Sequence, residues 1–99
     1  MPVLHTVAFK LVAATATQIT AAQTSLAALS EIPGCRWVRF GETFTTERAR
    51  GYTHQLVAEF ESREALQIYA THPAHLAFIT THLKPLFDLS STLALDIDF

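Results

Sequence analysis

The chain has 99 residues, of which 49% are hydrophobic and only 16% charged, with a formal net charge of -2 and a pI near 6.2. That length fits one domain over residues 1–99, and so apolar a composition excludes a disordered chain. The Lys and Arg residues are scattered, with only Arg48 and Arg50 close together, so no basic stripe exists for a nucleic-acid backbone.

The first element is "VLHTVAFKL", where Val3, His5, Val7, Phe9 and Leu11 alternate onto one face of a strand. Next, "TQITAAQTSLAALSEI" places Ile19, Ala22, Leu26 and Leu29 on one helical stripe, with Thr17 as N-cap, and Pro33-Gly34 turns the chain. "CRWVRFGETF" reads as a second strand, with Val38, Phe40 and Phe44 on one face and Trp37 on the other; "TTERARG" is a polar loop. "YTHQLVAEF" is a third strand with Tyr52, His54, Leu56, Ala58 and Phe60 on one face. Ser62 caps a short helix that turns Ala65, Leu66 and Tyr69 inward. Pro73 suits the first position of another helix, which makes His72 its N-cap and His75 its third residue. "SSTLALDIDF" closes as a strand with Leu93, Leu95, Ile97 and Phe99 on one face.

The order β-α-β-β-α-α-β predicts an α+β sandwich, an antiparallel sheet with its helices on one side. The helix-facing side takes the strong apolar rows. The other side takes Leu4, Ala8, Trp37, Val57 and Ala94, which is too apolar to stay wet and points to a homodimer that stacks two sheets. Nothing in "MPVLHTVAFK" resembles a secretory leader, and no apolar run is long enough to span a bilayer. A cytoplasmic protein without membrane contact is the expectation.

Histidine is the side chain that titrates nearest neutral pH, and five are present: His5, His54, His72, His75 and His82. His5 and His54 fall in the helix-facing rows, where each needs a polar partner, supplied either by ordinary packing or by a polar pocket. Tyr69 is either a packed aromatic bonded to a carbonyl or a donor in that pocket. His72 is explained by capping, and His82 by a surface or interface position. His75 precedes Phe78 and Ile79 by three and four positions, so it points with the apolar face and can fold back beneath Tyr69.

A tri-histidine metal centre drawn from His5, His54, His72 and His75 is disfavoured, because no HxH or HExxH pair occurs and no carboxylate falls in the inward rows. Cys35, the single cysteine, has no base beside it, and no GxSxG, phosphate-loop or dinucleotide motif is present. Any chemistry is therefore expected to use no cofactor and no metal. Full antiparallel pairing of residues 3–11 with 52–60 sets His5 about 13 Å from His54 at ~3.3 Å per residue. That spacing favours His54, Tyr69 and His75 as a cluster, with His5 apart.

Four pieces, "HTVAFK" from His5, "IPG" from Ile32, "GYTHQLVAEF" from Gly51 and "YATHPAH" ending at His75, carry a resemblance to the stress-responsive dimeric A/B barrel (Dabb) family over nearly the whole chain. The resemblance implies a ferredoxin-like fold whose two subunits join their sheets into an α+β barrel. The closest functional analogy in the family is a plant polyketide cyclase that closes a linear β-polycarbonyl thioester by an intramolecular aldol reaction. It implies a pocket lined by His5, His54, Tyr69 and His75. There His75 matches the general base, Tyr69 the hydroxyl that binds the carbonyl oxygen, and His54 and His5 the substrate-binding groups. The cyclase has a tyrosine on its first helix where Thr17–Ser30 has no aromatic residue, which leaves pocket shape open. The alternative is a non-catalytic stress-responsive or small-ligand-binding Dabb protein.

Overall fold

Two periodicities and a few caps fix the elements of the computed structural model, which describes residues 1–99. Strand β1 spans Val3–Phe9, helix α1 Ala16–Ser30, β2 Cys35–Glu42, β3 His54–Phe60, α2 Arg63–Thr71, α3 Pro73–Phe78 and β4 Leu93–Asp98. A π-helical turn over Ile79–Leu83 continues α3, and a 3-10 turn over Leu89–Ser91 leads into β4. The sheet is antiparallel throughout, in the order β2-β3-β1-β4.

Local chemistry explains the helix starts. The α1 cap is Thr15, not Thr17: its hydroxyl accepts from the Gln18 N–H while the Gln18 side chain accepts from the Thr15 N–H. That reciprocal pair satisfies two otherwise orphaned donors, which Thr17 cannot match because Ile19 to Thr20 leaves it no Gln or Glu at the third position. Ser62 caps α2 through the Ala65 N–H, and His72 caps α3 through Nδ1, which accepts from the Ala74 N–H at 3.1 Å. Pro73 at the first position of α3 has no N–H to satisfy.

The core lies between sheet and helices. Val3, Val7, Phe9, Leu56, Ala58 and Phe60 meet Leu26, Leu29, Tyr69, Phe78 and Leu83 there. Gly34, with φ at +85°, holds the turn before β2 against α2; a Cβ there would lie 2.5 Å from that of Ala65.

Two strand expectations fail. Phe44 lies beyond the end of β2 and is 97% exposed, because the strand stops at Glu42 and the inward row stops with it. The faces of β4 are also reversed. His5 pairs with Asp96 and Val3 with Asp98, so the carboxylates share the helix side, with Ala94 opposite Val7. Leu93, Leu95 and Ile97 join Leu4, Thr6 and Ala8 on the open face, where Leu95 is 62% exposed. Alternation decides which residues share a face; a one-residue shift in pairing decides which face that is. The open side is therefore more apolar than composition alone implied. No helix is long and apolar enough to cross a membrane.

Candidate active site

The seven residues from Tyr69 to His75 cross from one helix to the next. Because the capped His72 and Pro73 reset the backbone after α2, α3 turns back on α2 and His75 lies against Tyr69. Their ring centroids are 4.2 Å apart, tilted by 33°. From the sheet, His5 presents its ring edge to Tyr69 at 6.2 Å. The three side chains line a cavity of about 300 Å³ whose remaining walls include Val7, Phe9, Leu56, Phe78, Ile79 and Leu83. Ile79 and Leu83 come from the π-helical turn, a wider coil often found at functional sites.

Tyr69 is 1% exposed, yet its hydroxyl makes no hydrogen bond within the chain. No fully sealed polar side-chain atom lacks a partner, so that hydroxyl opens onto the cavity rather than into the core. Burial pushes its pKa far above the usual tyrosine range, and Cys35 adds to the effect, so it stays a neutral O–H. A neutral, uncommitted donor in an apolar cavity binds whichever oxygen enters.

His75 is half-buried. Its Nδ1 lies 3.1 Å from the Ala70 carbonyl oxygen. A carbonyl only accepts, so Nδ1 carries the proton and the neutral ring keeps Nε2 as its free acceptor. Burial pushes the His75 pKa below the ordinary imidazole value; the bond to Ala70 opposes this, and electrostatic interaction with His5 and His72 adds to it. The ring is thus neutral and basic at Nε2 at neutral pH.

The structure reverses the expected placement of the two strand histidines relative to Tyr69. His5 pairs with Ala58 and His54 with Phe9, so the distance between them is as expected. But α2 sets Tyr69 over Phe60, at 4.8 Å, the far end of β3 from His54. His5 is therefore brought into the cavity. His54 is not: it is 5% exposed, stacks on Phe40 at 5.6 Å, meets Phe87 edge-on at 5.1 Å and bonds Thr53. Burial lowers its pKa, opposed by Glu42, as fits a neutral core ring. His82 bonds Ser25 through Nε2 at 2.8 Å, tying α1 to the π-helical turn.

Asp96 was not foreseen. Its carboxylate meets His5 Nδ1 at 2.5 Å, so the inward rows do hold a carboxylate. The signal was the alternation "LALDID", which puts both aspartates inward once the leucines face out. No three histidine, cysteine or carboxylate side chains converge as metal ligands.

An antiparallel sheet ordered β2-β3-β1-β4 with helices on one face defines the ferredoxin-like α+β class. The chain belongs to the stress responsive A/B barrel domain (Dabb) family, whose model matches residues 3–99. It is similar to olivetolic acid cyclase of Cannabis sativa, 42% identical over 48 residues, which are 48% of each chain. The match thus spans about half the length of that relative. A crystal structure from Arabidopsis thaliana superimposes with a TM-score of 0.83 at 28% identity, covering 98% of this chain and 94% of that one. A protein of unknown function from Thermobifida fusca, described as a dimeric ferredoxin-like protein, gives 0.80 at 23% identity, with 100% and 92% covered.

Proposed function

We propose that the cavity carries out cofactor-independent, cyclase-like lyase chemistry on a β-polycarbonyl substrate. The uncommitted hydroxyl of buried Tyr69, stacked beside a histidine whose Nδ1 is already tied to Ala70, carries this reading. The likeness to olivetolic acid cyclase supports it.

A carbon between two carbonyls is acidic enough for an imidazole to deprotonate once a donor holds the enolate oxygen. His75 takes that proton on Nε2. Tyr69 donates to the developing oxyanion and remains a phenol. The enolate carbon then attacks a distant ketone of the same chain: a C–C bond forms, the ketone π bond breaks, and the new alkoxide takes a proton; that hydroxyl then leaves with a ring proton as water, and enolisation of the remaining ring ketones gives the aromatic ring. Apolar walls exclude water and hold the rest of the chain. His5 binds or orients the substrate; His54 has no part in this scheme.

We also infer a homodimer joined through the open sheet face. Leu93, Leu95 and Ile97 beside Leu4 form the kind of contiguous apolar patch that a second copy covers.

The test uses two probes. Deuterium exchange at the methylene of ethyl acetoacetate, followed by proton NMR, reads proton abstraction. Cyclisation of 3,5,7-trioxooctanoyl N-acetylcysteamine thioester, followed by aromatic absorbance, reads ring closure. The expected result is acceleration of both above buffer, abolished by His75→Ala. Tight binding of an aromatic hydroxy acid with neither reaction would instead support the small-ligand-binding reading.

A further inference from the structure

Within the proposed reaction, one proton has no assigned source: the one taken by the alkoxide at ring closure. His75 holds the proton removed from carbon, and Tyr69 is committed to the enolate oxygen. We infer that His5 and Asp96 form a carboxylate-backed imidazole that supplies it, with Asp96 as the positioning residue. The inference rests on the cyclase reading and adds a second proton carrier to it.

Register makes the pair. His5 and Asp96 face each other across β1 and β4 on the helix side. Nδ1 of His5 and Oδ1 of Asp96 are in direct hydrogen-bond contact, at 2.5 Å. A carboxylate accepts only, so Nδ1 carries a proton and Nε2 is left to serve the cavity that His5 lines. Asp96 holds the ring in one orientation and balances the charge of the imidazolium, the part a carboxylate plays behind a catalytic histidine.

The neighbouring charges leave Asp96 to this task. Asp98, the next carboxylate on the same row, is held by Arg63 from α2, whose Nε lies 3.0 Å from both Oδ1 and Oδ2. That guanidinium keeps the Asp98 carboxyl below the usual range. The other titratable groups toward His5 are Tyr69 and His75, which already have roles. His5 is mostly buried and Asp96 is 46% exposed at the sheet edge, so a proton can return to the pair from solvent.

The step balances. The imidazolium of His5 gives its Nε2 proton to the alkoxide as the C–C bond completes; one N–H bond breaks and one O–H bond forms. His75 leaves the turnover with the carbon's proton and loses it to water, while His5 regains one.

Exchange needs only a base and an oxyanion donor, whereas closure also needs this acid. The experiment therefore compares both probes for wild type, Asp96→Asn, His5→Gln and the double variant. Expected is a closure kcat about tenfold lower for Asp96→Asn and about 100-fold lower for His5→Gln, with exchange reduced far less. The double variant should be no slower than His5→Gln, because Asp96 acts through His5. Equal loss of exchange and closure, additive losses, or unaltered closure in Asp96→Asn would each overturn the pair's role while leaving the cyclase reading standing. Wild type that accelerates neither probe would sink both.

Discussion

At the scale of single residues, the site separates into groups with and without partners. Tyr69→Phe removes a hydroxyl that makes no hydrogen bond, so thermal stability should stay close to wild type while closure falls about 100-fold. A matching fall in melting temperature would show that the hydroxyl is structural. His75→Ala should lower exchange by about 100-fold or more with circular dichroism unchanged. The pH dependence follows from the sign of the shift. His75 must be neutral to act and its pKa is lowered, so its exchange reaction is complete above the ordinary imidazole pKa and disappears as pH falls through the lower folded value. Stability runs the same way. His54 and His75 are neutral in the fold and charge more readily when unfolded, so their contribution is full above the ordinary pKa and is lost as pH drops toward and through the folded ones. Exchange rates and denaturant midpoints, each followed from pH 7 into acid, should show the respective trends; a rate or a midpoint that rises on acidification would contradict the one it reads. Tyr69 and His75 were legible because a proline-started helix fixes their relation within seven residues. Which of His5 and His54 lies nearer Tyr69 was not legible, although their separation was. Strand periodicity gives distances along a strand, whereas the end of the sheet that α2 covers is set by tertiary packing of Tyr69 on Phe60.

At the scale of elements, caps and turns carry local stability that can be read one at a time. Thr15→Ala should cost about 1 kcal/mol by urea unfolding, with Thr17→Ala nearly silent. Gly34→Ala should cost about 1–3 kcal/mol, because the backbone is left-handed there and the new methyl meets the Ala65 Cβ. A neutral result would mean that α2 can withdraw from the turn. The elements themselves were largely visible: the inward rows of β1 and β3, the Ser62 and His72 caps and the Pro73 start are all written in spacing. What spacing cannot supply is an external reference for β4. An edge strand that alternates leucine with aspartate satisfies its pattern in either orientation, and only the partner strand's register, His5 against Asp96, selects one.

At the scale of the whole molecule, β4 is a strand with two clients. Its Leu95 row forms the surface of the proposed dimer, and its Asp96 row backs the proposed proton carrier. Leu95→Lys should shift sedimentation from dimer to monomer at micromolar concentration, since a charge replaces an apolar group at the centre of the face. A monomeric wild type would remove the dimer altogether. The edge position of β4 gives this a kinetic meaning. Within one chain β1 is its only strand neighbour and the Arg63 contact lies at its far end, so in the proposed dimer the second copy would steady the strand and with it the aim of Asp96. Specific activity then ceases to be a constant of the polypeptide: diluting the sample past the dissociation point of the pair should switch off ring closure before any helix melts, and adding back an inactive His75→Ala chain should restore it.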